Sequence, residues 1–189
     1  VSTLLDDTSS IDGLTESVRQ LSIQYGMAPV DTAKALYQII SAGAADAASQ
    51  MMLLDTANRL AIGGVTEVAT AADGLTGVLN AYGMGANEAN RISDIMFATM
   101  KAGKTTIGEI AGSISQVTPI AATMGVRFEE VGAALATVTA ITGNTAEAST
   151  QLRQAITSIG APAEKSKKLF AELGLEFGKT AIEMKGGLL

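Results

Sequence analysis

Gly103, Lys104 and Thr105 form the tripeptide that ends many phosphate-binding loops, and they are the residues whose types and spacing come nearest to a chemical site. Such a loop reads G-x-x-x-x-G-K-[ST]. Backbone N–H groups of its glycine-rich turn wrap the phosphates, the lysine reaches them, and the hydroxyl holds magnesium. Here Ala98 stands where the first glycine belongs. The loop must also follow a buried strand, yet Ile92, Ile95, Met96, Thr99 and Met100 recur at helical intervals before it. Gly178, Lys179 and Thr180 repeat the tripeptide with Leu173 at the first-glycine position. A helix over Asn87 to Ala102 that stops at Gly103, a left-handed residue just past its end, explains the segment better. Lys101 and Lys104 then suit the negative end of the helix dipole, and Thr106-Ile107-Gly108-Glu109 is a capping box opening the next helix. The segment is predicted to be a hinge between two helices.

Other chemistries start from a poor inventory. The chain has no histidine and no cysteine, which removes the commonest general base, the commonest transition-metal ligand, thiol chemistry and disulfides. Catalysis by carboxylates survives. Glu109, Glu129, Glu130 and Glu147 are the candidates, but each falls in the first turn of a predicted helix, where capping or the helix dipole accounts for it. No catalytic, cofactor-binding or metal-binding residue is assigned. A net charge of −6 opposes a sequence-independent grip on nucleic acid, which needs clustered cations. The basic run from Glu164 to Lys168 is short and reads as a solvated helix face.

The elements around these residues are successive amphipathic helices punctuated by glycine and proline. Of 189 residues 47% are hydrophobic but only 4% aromatic, so alanine, leucine, isoleucine, valine and methionine must fill the core, a composition suited to closely approaching helices. Asp31 to Ala42 carries Ala33, Leu36, Tyr37 and Ile40 on one face, after Pro29 and before Gly43. A second helix runs from about Ala45 to Ala61 and stops at Gly63 and Gly64. Thr66 to Tyr82 spaces Val68, Ala72, Leu75, Leu79 and Tyr82 by three and four, and Gly83 ends it. Ile107, Ile110, Ile114, Val117, Ala121 and Met124 form another seam, with a kink or break expected at Pro119 and a stop at Gly125. Phe128 to Ile141 buries Phe128, Val131, Leu135 and Val138. Asn144 caps a helix carrying Leu152, Ile156 and Ile159, interrupted at Gly160 to Pro162, and a last short helix carries Leu169, Phe170 and Leu173.

No segment alternates as a strand does, so the fold class is all-α without a sheet. Short connections favour a helical bundle. The same seams also fit seams of identical chains, so an extended helical assembly, a homo-oligomer, stands beside the bundle. Residues 1–26 are read as partly loose or the end of a longer helix, 27–160 as the helical core, and 161–189 as a C-terminal helix and truncated continuation. Val1 opens the chain without a signal-peptide pattern, which suggests a piece of a longer protein. Two uncharged stretches, Ile110 to Val126 and Val131 to Ala146, approach a membrane span in length, but polar residues interrupt both.

Several stretches in order resemble the core region of phage tail tape measure proteins: Thr70 to Gly83, Ile92 to Val126, Phe128 to Ala140 and Asn144 to Ile156. Residues 27–43 before them, and "KKLFAELGL" with "EMKGGLL" after them, fit more loosely. Arg127 stands where the family often has a Ser or Thr cap, and Gly132 falls inside a helix at a cost of about 1 kcal/mol relative to alanine.

The resemblance implies a non-enzymatic structural protein of the virion tail, assembled in the host cytoplasm, that sets tail length and leaves the tube ahead of the DNA. Tail tube proteins, tail assembly chaperones and tail-tip or baseplate hub proteins are the implied partners, with no cofactor and no sequence-specific nucleic acid. Two other roles follow from it. Membrane contact during infection would make the uncharged stretches a membrane-perturbing or pore-forming segment. A cell-wall-degrading role would make one of the four glutamates the acid of a lytic transglycosylase.

Overall fold

The computed structural model describes residues 9–44, 46–160, 164–173, 178–179 and 181. Among the described residues all regular structure is helical. In chain order the helices are α1 (Ser9–Tyr25), α2 (Pro29–Ser41), α3 (Ala47–Gly64), α4 (Val68–Tyr82), α5 (Ala89–Ala102), α6 (Ile107–Ser113), α7 (Thr118–Thr123), α8 (Phe128–Thr142), α9 (Thr145–Gly160) and α10 (Glu164–Glu172). Short 3₁₀ turns at Ala86–Glu88 and Ile114–Gln116 lead into α5 and out of α6.

Local chemistry sets most of the ends. Pro29 occupies the first turn of α2, where its missing N–H has no intrahelical partner to lose. The Asp46 carboxylate caps α3, accepting the Ser49 N–H at 2.8 Å. Gly83 at φ +62°, Gly125 at φ +76° and Gly143 at φ +64° let the chain turn out of α4, α7 and α8 in the left-handed region that glycine enters without penalty.

The bundle is organised around α4, which packs against α2, α3, α5, α6 and α7. Only Asp73 and Asn80 are exposed along it. A helix surrounded in this way must be apolar or small on nearly every side, and Val68, Ala71, Ala72, Gly74, Leu75, Val78 and Leu79 are all buried. They join one core that runs from Leu14 and Val18 on α1 to Ile156 on α9. The seams read from the sequence are therefore closed within the chain: Val68, Ala72, Leu75 and Leu79 are buried on α4, and so are Ile107, Ile110, Ile114, Val117 and Ala121 beyond it.

Four expectations are corrected. Gly63 and Gly64 do not stop α3; both lie inside it, and Val65 takes the left-handed conformation at φ 50°. The glycines serve packing instead: a Cβ at Gly63 would stand 2.7 Å from Phe97 Cζ, and one at Gly64 would overlap Ile107. On α2 the buried residues are Thr32, Ala35, Leu36 and Ile39, while Tyr37 is 42% exposed. The helix is rolled so that Thr32 and Ala35, and not Tyr37, share its buried face with Leu36 and Ile39. The break in the α6 seam comes at Ile114–Gln116, upstream of Pro119, which sits in the first turn of α7. Proline fits a helix start, whereas inside a helix its ring would meet the carbonyl of Ser115. Finally, Gly132 on α8 is no simple liability, because a Cβ there would stand 2.6 Å from Thr99 Oγ1 on α5.

The α3 terminus makes two opposite predictions. Gly64→Ala forces Ile107 to move and is expected to destabilise the fold by about 1–3 kcal/mol. Val65→Gly relieves a β-branched residue from the left-handed region and is expected to stabilise it by about 1 kcal/mol. Urea unfolding of both variants checks the pair, and equal signs would refute this account of the helix end.

Candidate functional site

The Gly103–Glu109 segment is the junction of α5 and α6. Gly103 is not left-handed, contrary to the expectation: its φ is −101° and its backbone is extended. Glycine is required there by proximity, since a Cβ would lie 2.5 Å from Thr139 Oγ1 and 2.9 Å from Ala136 Cα on α8. The Gly103 N–H donates to Thr99 O at 2.9 Å, closing α5. The Lys104 stem lies along the α8–α9 turn, within van der Waals reach of a Cβ placed on Gly143.

The capping box is present in full. Thr106 N–H donates to Glu109 Oε2 at 2.9 Å, and Glu109 N–H donates to Thr106 Oγ1 at 3.2 Å. The hydroxyl of Thr145, buried at the start of α9, lies 2.7 Å from the Thr105 hydroxyl and 3.3 Å from Glu109 Oε2. The lysine and threonine of the tripeptide thus meet the α8–α9 turn and the start of α9, and the glutamate is an acceptor for the helix start. The arrangement joins three helices and offers no glycine-rich cradle for phosphates.

The four candidate glutamates do not form a shared site. Glu109 lines an open cleft with Ser113, Gln116 and Thr145. Glu129 lines a different one with Tyr82, Phe128 and Arg91, and is ion-paired to Arg91. Glu130 is buried and accepts the Arg127 N–H at 3.0 Å, with the Arg127 guanidinium 3.6 Å away. This contact supplies the half of a capping box that runs back to the N-cap N–H, while Arg127 itself offers no acceptor for the first turn. Glu147 is exposed, and its N–H donates to the Asn144 cap at 3.1 Å. Among the described residues no group of three or more acidic side chains could hold a metal, and no helix is long and apolar enough to cross a membrane.

The chain matches the family described as phage-related minor tail protein over residues 15–188. The chain belongs to this phage minor tail family. As a member it is a structural component of a phage tail. It is 35% identical over 136 residues, 70% of its length, to a probable tape measure protein of Clostridium phage phiCD119. It is 27% identical over 111 residues, 59% of its length, to a tape measure protein of Pneumococcus phage Dp-1. These matches span 14% and 10% of the two relatives. No solved structure matches the chain.

For a minor tail protein, the polar side chains that matter here are those that tie helices together, and sequence reasoning missed most of them. Arg91 reaches Glu88 on its own turn, Glu129 on α8 and, at 3.7 Å, Met84 Sδ. Tyr25 donates to Asp55 at 2.6 Å and binds α1 to α3, while Asn90 on α5 accepts from Thr56 and Arg59 of α3. The Tyr82 hydroxyl donates to Val126 O at 3.0 Å; burial, and then the nearby Glu129 and Glu130 charges, push its pKa upward. Of these ties only Glu88–Arg91 carries a local signal, a pair one helical turn apart. Thr106→Ala is expected to lower stability by about 1 kcal/mol through loss of the cap, and Gly103→Ala by about 1–3 kcal/mol through overlap with α8. Lys104→Ala should change it by less than about 0.5 kcal/mol. Denaturant midpoints in that order support a junction; a large loss at Lys104 alone would point to another use of the tripeptide.

Proposed function

We propose that this chain is a packed helical unit within a tape measure protein, the tail component that sets tail length during assembly and leaves the tube ahead of the genome. Its 35% identity over 70% of the chain to a probable tape measure protein supports the reading. The unit works through contacts and shape, without catalysis, and its partners are tail tube proteins, tail assembly chaperones and tail-tip or baseplate hub proteins.

The bundle refines the length-setting role. A continuous helix gains about 1.5 Å per residue. Helices folded back around α4 lose most of that gain, because successive elements retrace the same distance. We therefore assign the residue-by-residue ruler to long helical stretches of the parent protein outside residues 9–160, and give this unit the work of holding or seating the ruler.

In the parent phage, deleting whole helical turns from those long stretches should shorten tails by about 1.5 Å per residue removed. Opening the bundle with Gly64→Leu should instead abolish or derange tail assembly without a graded change in length. Electron micrographs of tails from both kinds of mutant check this. Tail lengths that track small deletions inside the bundle would reverse the assignment, and lengths indifferent to all deletions would remove the ruler role.

A further inference from the structure

Two exposed apolar features stand out among the described residues, and they fit each other. The first is an open groove of about 520 Å³ where the starts of α2 and α4 meet the end of α3. Met27, Ile62, Val65 and Ala69 line it. Val65 is 93% exposed and is held at φ 50°. A β-branched residue in that conformation is strained, and strain of this kind concentrates at binding and switching positions. Asp31, Lys34 and Glu67 edge the groove, with Lys34 3.2 Å from Asp31, so the rim is acidic on balance.

The second feature is α10 together with Leu173, the residue just past its end. Leu169 and Leu173 are 55% and 61% exposed, and the Leu173 N–H donates to Leu169 O at 3.1 Å, which sets the two side chains one turn apart on one face. The helix carries three lysines against two glutamates, and Lys167 and Lys168 are exposed beside the leucines. A pair of apolar anchors four residues apart is how an amphipathic helix enters a hydrophobic groove. The charge balance of α10 is opposite to that of the rim, which favours this pairing.

We infer that α10 of one copy docks into the Met27–Ile62–Val65 groove of a second copy. Groove and helix are different surfaces, so the contact is head-to-tail and repeats from copy to copy, closing a ring if the rotation permits and otherwise extending. This inference goes beyond the tape measure reading and does not rest on it.

Sedimentation velocity of the 189-residue chain over a range of concentrations tests it. The chain should associate as concentration rises. Leu169→Asp with Leu173→Asp, and separately Val65→Asp with Ile62→Ser, should each weaken association roughly tenfold or more, with helical circular dichroism unchanged because all four side chains are at least partly exposed. An equimolar mixture of the two variants keeps one intact groove and one intact α10, so it should form a one-to-one dimer that grows no further. A chain that stays monomeric at every concentration, variants that associate like the parent, or a mixture that fails to pair would each overturn the inference. Occupation of the groove by the chain's own α10, or by a different protein alone, is read out as the monomeric result.

Discussion

Helices here approach one another across glycines, and the rest of the arrangement depends on those close approaches. A Cβ at Gly74 of α4 would stand 2.7 Å from the Ala111 Cβ of α6, one at Gly132 of α8 would press on Thr99 of α5, and one at Gly160 of α9 would overlap Met124. With few aromatic rings available, the chain fills its centre by bringing backbones near each other, which multiplies dispersion contacts that are individually weak. The cost is low tolerance: interiors packed to crystal-like density transmit the bulk of one added methyl to the facing helix. α4 can be enclosed on nearly every side because its own residues and those facing it are small.

That constraint also explains what could be read in the sequence. Helix starts and stops were legible where the chemistry is local. Thr106 with Glu109, the Asn144 cap, and Gly83 and Gly125 act within one turn of themselves, and each does what its position suggested. The glycines that face another helix were misread for the same reason. Gly103 does end α5, but in an extended and not a left-handed conformation, and Gly64 lies inside α3; the groups that demand glycine there, Thr139 and Ile107, are distant in the chain. The roll of α2 followed a similar course: bulky Tyr37 and Ile40 marked the expected face, while the structure buries Thr32 and Ala35 against its neighbours. The glutamates were identified as first-turn residues, yet the Arg91–Glu129 pair and the burial of Glu130 needed the fold to be seen.

Family membership and architecture constrain each other. A minor tail protein that acts by extension needs residues laid end to end, and this stretch lays them side by side. Most of its apolar surface is spent internally, on one core shared by α1 to α9, so little of each seam remains for neighbours. The matched stretches are small fractions of the relatives, which leaves ample chain for other geometries. Division of labour between a packed unit and extended stretches is the reading that respects both facts.

The hydroxyl contacts around α9 carry a mechanical consequence. Ser149 meets Ser113 at 3.2 Å, Thr145 meets Thr105, and Thr150 meets Gln116 at 3.2 Å, so α9 is held to the α5–α6 junction and α6 partly by neutral polar pairs. Each such bond contributes about 0.5–1.5 kcal/mol net, whereas a fully buried leucine contributes about 1.5–3 kcal/mol. α4, with Leu75 and Leu79 enclosed, is gripped far harder. Tension applied from the C-terminal side would therefore meet α9, with its polar ties, before it reached the enclosed α4, like a seam whose weaker stitches lie toward one end.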